Sequence, residues 1–257
     1  MEILKYFSKS IENRISIYRF KSSCLDDFLA EITKPFRNGY INDNDLEDLA
    51  EKNAITKSTF LEKYILPDIG NVKSGDFGEM LSFFAMLENY LQKGLAFSGP
   101  YKWLWKDRNK PSQYTDAVSF YLKNTTRPSA EDVLVSIESK MKATQSNRHR
   151  IQDAIDGANE DKLSRLVKTL AWLEEKYAKH GDISNRKLVE RFRNPSEYGT
   201  YKKIFKAFAV LDEKFFDEEI ALEYKNVNDL IIIVFSFKDL KDVYERNKIN
   251  IINSVIQ

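Results

Sequence analysis

The segment DLIIIVFSF, residues 229–237, carries apolar side chains at nearly every position. Side chains alternate between the two faces of a strand, so this segment is apolar on both faces and needs cover on both. A central strand between two helical layers meets that requirement, and the rest of the chain supplies elements of both kinds.

RISIYRF (14–20), YTDAVSFYL (114–122), DVLVSIESKMKA (132–143) and IFKAFAVL (204–211) read as further strands. CLDDFLAEITKPF predicts a helix stopped by Pro35, and the helical spacing that begins at Asp43 ends at Pro67 and Gly70. A second helix is predicted from near Ser74. In SGDFGEMLSFFAMLENYLQKG, Phe77, Met80, Leu81, Phe84, Leu87 and Leu91 share one face, and Phe83, Met86 and Tyr90 extend it. That helix is expected to be largely buried. Helices at about 147–158 and 161–179 follow, and an amphipathic helix near 239–255 closes the chain. The predicted fold is mixed α/β.

With 257 residues, the chain can form one large domain or a core with extensions. The division expected is an N-terminal strand and helical extension over 1–73, a core over 74–160, and C-terminal helices and strands over 161–257 packed on that core. One cysteine, Cys24, and two histidines, His149 and His180, exclude a disulfide framework and a structural zinc site. The N-terminus lacks the apolar core of a signal peptide, and no stretch reaches the roughly 20 apolar residues of a membrane span. The reducing cytoplasm is the expected compartment.

The chain's 40 Lys plus Arg nearly cancel its 39 Asp plus Glu, so a carboxylate two residues before a lysine arises easily by chance. Such pairs occur at Glu138/Lys140, Glu160/Lys162, Glu174/Lys176, Asp212/Lys214, Glu223/Lys225 and Asp239/Lys241. Residues i and i+2 share a face on a strand but point about 200° apart on a helix. That removes Glu160/Lys162 and Glu174/Lys176. Asp212/Lys214 follows a strand, but no preceding strand offers it a second carboxylate.

Glu138/Lys140 has one. Antiparallel partners keep a constant sum of residue numbers, and the turn KNTTRPSAED is centred near Arg127, which sets the sum near 254. Asp116 then lies opposite Glu138, with Lys140, Val118, Phe120, Leu122 and Leu134 on the same face. Two carboxylates converging with an ammonium suit a hard divalent cation, Mg²⁺ or Mn²⁺, and the hydrolysis of phosphodiester bonds. Lysine would orient or activate the attacking water, or stabilise charge building on the phosphate. Glu79 is a fourth candidate, because an ionised group on an apolar helix is costly unless a cation or donors satisfy it.

Gly78-Glu79, Thr115-Asp116 and Glu138-Ser139-Lys140 resemble the PD-(D/E)xK nuclease superfamily and its restriction-endonuclease-like αβββαβ core, with Thr115 where the literal motif has proline. GDFGEMLSFFAML, YKWLWKDRNK, YTDAVSFYL and VLVSIESKMKAT together resemble the HamA family, nuclease effectors of the bacterial Hachiman antiphage system. The resemblance implies metal ligation by Asp116 and Glu138, completion of the acidic cluster by Glu79, and assistance to catalysis by Lys140. It also implies DNA as substrate and restraint by a HamB-like superfamily 2 helicase partner.

Residues 102–150 hold ten Lys plus Arg against five Asp plus Glu, which predicts a positive rim with Lys142, Arg148 and Arg150 as DNA contacts. Trp103 and Trp105 read as core or interface aromatics, and the basic run NRKLVERFRNPSEYGTYKK as a DNA or partner contact or a solvated helix face. Ordinary readings stand beside the catalytic ones: Glu138/Lys140 as a cross-strand ion pair, Asp116 as a turn cap, Glu79 as a carboxylate near a helix start. The alternatives to a DNA nuclease are an inactive nuclease-fold module that binds DNA or a partner protein, and an RNA nuclease.

Overall fold

The computed structural model describes residues 1–256. Its six strands are β1 (Phe7–Glu12), β2 (Ile15–Phe20), β3 (Ala117–Tyr121), β4 (Val133–Lys142), β5 (Lys202–Asp212) and β6 (Leu230–Phe237). The helices are α1 (Leu25–Tyr40), α2 (Asp43–Lys52), α3 (Lys57–Phe60), α4 (Gly70–Leu91), α5 (Arg150–Glu160), α6 (Leu166–Lys179), α7 (Ile183–Arg193), α8 (Pro195–Tyr198), α9 (Phe216–Ile220) and α10 (Leu240–Asn253). The strands form one mixed sheet in the order β1-β2-β6-β5-β4-β3, with parallel central pairings and an antiparallel hairpin at each edge. Each of the segments 1–73, 74–160 and 161–257 contributes strands to it.

As its pattern requires, β6 lies inside the sheet and is covered on both faces. Ile233, Phe235 and Phe237 join the core under α1, α4 and α10, while Ile232 and Val234 join the core under α5. A third apolar cluster packs Val118, Phe120 and Leu134 of the β3/β4 hairpin against Leu166, Leu170 and Leu173 of α6 and Val189 and Phe192 of α7. The helix α4 is buried on every side from Asp76 to Met86.

Several boundaries differ from expectation. The helix α1 runs through Pro35 to Tyr40. A proline inside a helix costs about 3 kcal/mol, but Phe28, Leu29, Ile32 and Phe36 form one buried face that continues past it. The helix α4 starts at Gly70, four residues before Ser74, because Val72 and Lys73 already donate to the carbonyl of Ile69. The helices expected at 147–158 and 161–179 form one run, α5 and α6 being joined by a π-helical turn over Asp161–Arg165. The strand β1 left little trace in the sequence: only Phe7 is buried, and its turn uses Asn13 and Arg14, both at positive φ, instead of an Asn-Gly pair.

Between α4 and α5 there are two strands where the expected core has three. The position beside β3 is held by a single antiparallel bridge between Ser98 and Phe120. The connection from β3 to β4 is pinned by Asp132, which accepts from the backbone N–H groups of Lys123 (3.0 Å) and Ser129 (3.0 Å) and pairs with Arg191 of α7.

Candidate active site

The β3/β4 hairpin pairs Ala117 with Ile137 and continues to Tyr121 with Val133, so every pair sums to 254. Asp116 stands immediately before β3, and one of its carboxylate oxygens accepts the Ser139 N–H at 2.8 Å. The Lys140 ammonium lies 3.6 Å from that same oxygen and contacts Glu138 Oε1 directly. Asp116, Glu138 and Lys140 therefore meet on the hairpin face that the constant sum required. Ser139, on the opposite face, meets Ser82 of α4 at 3.0 Å.

The second contact of Glu138 was not foreseen. Its Oε2 pairs with the Arg165 guanidinium, which comes from the π-helical turn. Arg165 Nε also donates to Asp161 at 2.8 Å. Asp161 is fixed from the sheet by the hydroxyls of Ser136 (2.7 Å) and Thr115 (2.9 Å). Thr115 also donates its N–H to Thr169 Oγ1 at 3.2 Å. Proline has neither an N–H nor a hydroxyl, so the departure from the literal motif is what ties the Asp116 strand end to α6. Gly157 of α5 completes the arrangement: a Cβ there would stand 2.5 Å from Glu138 Oε1.

Burial and the nearby charge of Asp116 push the Glu138 carboxyl up to about 8, against the pull of Lys140 and Arg165. Burial works to lower Lys140, but Asp116 and Glu138 outweigh it and hold the ammonium above its ordinary value. Glu79 is pushed well up by burial and then by Asp116 and Asp76. Its Oε2 accepts from Trp103 Nε1 (2.9 Å) and Ser112 (3.1 Å), so Trp103 is a core aromatic that satisfies the helix carboxylate. Asp76, one turn earlier on α4, is raised by burial to about 6 despite Lys106 at 2.7 Å, and also accepts from Tyr40.

Among the described residues, no group of three or more His, Cys, Asp or Glu stands in metal-ligating geometry. The donor set of Asp116 and Glu138 nevertheless fits a hard divalent cation: both ligands are oxygen, and the carboxyl of Glu138 is held by burial in a state that a nearby positive charge relieves.

Most of the basic residues expected at the rim are paired or buried within the chain, while Arg127 and Arg148 are exposed. Lys102 is buried and ties the carbonyls of Gln113 (2.7 Å) and Thr115 into the approach to Asp116. Lys106, Arg108, Lys110 and Lys123 pair with Asp76, Asp68, Asp107 and Glu131. Lys142 is not available to DNA: its side chain is fully covered and pairs with Glu219 at 2.9 Å and Glu218 at 3.4 Å. Arg148 and Arg150 both pair with Asp153 at the start of α5, with Arg148 the more exposed. In the later basic run, Arg191 is buried on Asp132, and Arg193 and Arg186 pair with Glu174 and Glu190. Asp212, the strongest decoy, anchors α10 by accepting the Leu240 N–H at 2.9 Å.

The family model for HamA matches residues 2–249, nearly the whole chain. The chain belongs to the HamA family. Membership places it among the antiphage-defence proteins of the Hachiman system. No curated protein matches it in sequence. Among the described residues, no helix is long and apolar enough to cross a membrane.

Proposed function

We propose that this HamA-family chain is a metal-dependent nuclease that hydrolyses DNA phosphodiester bonds, as the effector of an antiphage complex restrained by a superfamily 2 helicase. The observation that carries the reading is the meeting of Asp116, Glu138 and Lys140 on one hairpin face, at the register that separates this pair from its five look-alikes. DNA as substrate and the helicase partner rest on the family's association with Hachiman defence.

Asp116 and Glu138 would hold the cation, and a bound Mg²⁺ or Mn²⁺ supplies a polarised phosphate and a more acidic water. The hydrogen bond from Ser139 N–H fixes the Asp116 carboxylate, and the Arg165–Asp161 pair fixes the direction from which Glu138 is held. Lys140 presents its ammonium between the two carboxylates, where it can donate to a phosphate oxygen or to the attacking water. Arg165 is a positioning residue acting through Glu138. Glu79 is turned toward Trp103 and Ser112, and burial together with Asp116 and Asp76 disfavours its charged form.

A second reading, a nuclease-fold module that binds without cutting, draws on one observation: both oxygens of Glu138 already have cationic partners within the chain. Calorimetry with Mn²⁺ separates the two. The nuclease reading expects saturable uptake that weakens about tenfold or more in Asp116→Ala and in Glu138→Ala. Uptake that is absent, or indifferent to both changes, favours the binding module. Parallel assays on DNA and RNA of the same sequence then decide the substrate.

A further inference from the structure

A cleft of about 170 Å³ opens between the segment that precedes Asp116 and the helix α6. Its walls carry the lysines Lys102, Lys106, Lys110 and Lys176, the tryptophans Trp105 and Trp172, and one carboxylate, Asp107. Lys110 pairs with Asp107, and Lys106 pairs with Asp76 at 2.7 Å. Lys102, 1% exposed, is held instead by the uncharged carbonyls of Gln113 and Thr115, which use two of its three N–H donors. Its Nζ lies 5.6 Å from the centre of the Trp172 ring, and the Nζ of Lys176 lies 5.4 Å from the same centre. Two ammoniums that no carboxylate pairs among the described residues therefore flank one indole, and Trp105 packs edge-on against it at 5.9 Å.

The cleft lies along the helix face that reaches the hairpin site. Arg165, Thr169, Trp172 and Lys176 recur at intervals of four, three and four residues, so they form one stripe along α6 and the turn before it. Arg165 pairs with Glu138, and Thr169 accepts the Thr115 N–H at 3.2 Å. Trp172 follows Arg165 by about 10 Å along the helix axis, which is about three nucleotides of a stacked strand. On the facing wall, Ser112 reaches Glu79 at 3.1 Å. Pockets for drug-sized ligands begin at about 300 Å³, so this cleft has room for one base or one phosphate of a longer ligand.

We infer that this cleft is a subsite for an unpaired nucleotide of the substrate strand, a short way along the strand from the bond cut at the hairpin, an assignment that rests on the nuclease reading of Asp116, Glu138 and Lys140. Indole beside ammonium is the combination that holds single strands: the ring stacks on a base whatever its identity, and the cations take the backbone. Lys176, partly exposed and on a flexible stem, can leave the Trp172 ring to the base and donate to a phosphate oxygen. In a duplex each base is paired and stacked, and it does not enter so narrow a cleft without leaving the helix.

The test is fluorescence titration of the full chain with a short single-stranded DNA oligonucleotide and, separately, with its duplex, in EDTA so that neither cleavage nor cation binding at the hairpin contributes. The single strand should quench tryptophan emission, because Trp105 and Trp172 line the cleft and only Trp103 lies elsewhere. Its affinity should fall about tenfold or more in Trp172→Leu. Lys176→Gln changes a partly exposed position and preserves the test if Trp172→Leu fails to fold. It should weaken single-strand binding and make the slope of log K against log salt shallower by about 0.7, the value for one phosphate contact on a single strand. Duplex binding should be indifferent to both changes. Absent quenching, wild-type affinity in a folded Trp172→Leu, an unchanged salt slope in Lys176→Gln, or equal weakening of duplex and single strand would overturn the inference. The Mn²⁺ titration of Asp116→Ala and Glu138→Ala reads the hairpin site independently, so failure of the subsite and failure of the nuclease reading are told apart.

Discussion

Replacing Glu138 and Lys140 together by alanine is expected to leave a folded chain whose DNA cleavage is lower by about 10³-fold or more, the scale for losing groups that stabilise charge in the reaction. The double change is a cleaner test than either single one. Glu138 alone could not leave without stripping Lys140 and Arg165 of a buried partner, and removing one member of a buried pair costs about 3–5 kcal/mol. With both gone, Arg165 keeps Asp161 at 2.8 Å and Asp116 keeps the Ser139 N–H at 2.8 Å. The β4 ladder to β5 is made by backbone groups and is unaffected. Circular dichroism and a melting curve close to wild type should therefore accompany the lost cleavage. A purified, folded double variant that still degrades DNA in Mg²⁺ at the wild-type rate would remove these residues from the chemistry.

The part of this site that could be read from the sequence is the part governed by local arithmetic. A hairpin has one free parameter, the sum of its paired residue numbers, and the turn around Arg127 set it; Asp116, Glu138 and Lys140 then followed from the alternation of a strand. Likewise, the two apolar faces of β6 required two covering layers, and both are present.

What stayed hidden depends on contacts between segments far apart in the chain. Strand parity places Lys142 on the same face as Lys140, but the segment carrying Glu218 and Glu219 folds over that end of β4 and buries it. The local excess of basic residues was real, yet partners such as Asp68, Asp76 and Glu219 lie outside the counted window. In the sequence, Asp161 and Arg165 stand at the i,i+4 spacing common to charge pairs on helices. Only the π-helical turn and the packing of α5 and α6 on the sheet bring them to Glu138 and Ser136.

Gly157 shows how helix and site constrain each other, and Gly157→Ala sets two effects in opposition. Within a helix, alanine is favoured over glycine by about 1 kcal/mol. The new Cβ would lie 2.5 Å from Oε1, 2.6 Å from Cδ and 2.7 Å from Cγ of Glu138, closer than such atoms can stand. Because the obstacle is the end of a side chain and not backbone, Glu138 can swing aside, at the cost of its contacts with Lys140 and Arg165. Overpacking of this kind costs about 1–3 kcal/mol, which the helical gain partly offsets. Stability should therefore fall by no more than about 2 kcal/mol while the carboxylate proposed to hold the cation is displaced. A misplacement of about 1 Å can lower turnover roughly 100-fold, so cleavage is expected to fall on that scale in a chain that still folds. Gly78→Ala is the matched control: it lies on α4, against the other face of the same strand, and its Cβ would meet Ser139 Oγ at 3.4 Å and Met141 Cβ at 3.6 Å, ordinary contacts. It gains the same helical propensity without touching Glu138, so it should keep its cleavage. Equal cleavage by the two variants would mean that the position of Glu138 does not matter to the reaction.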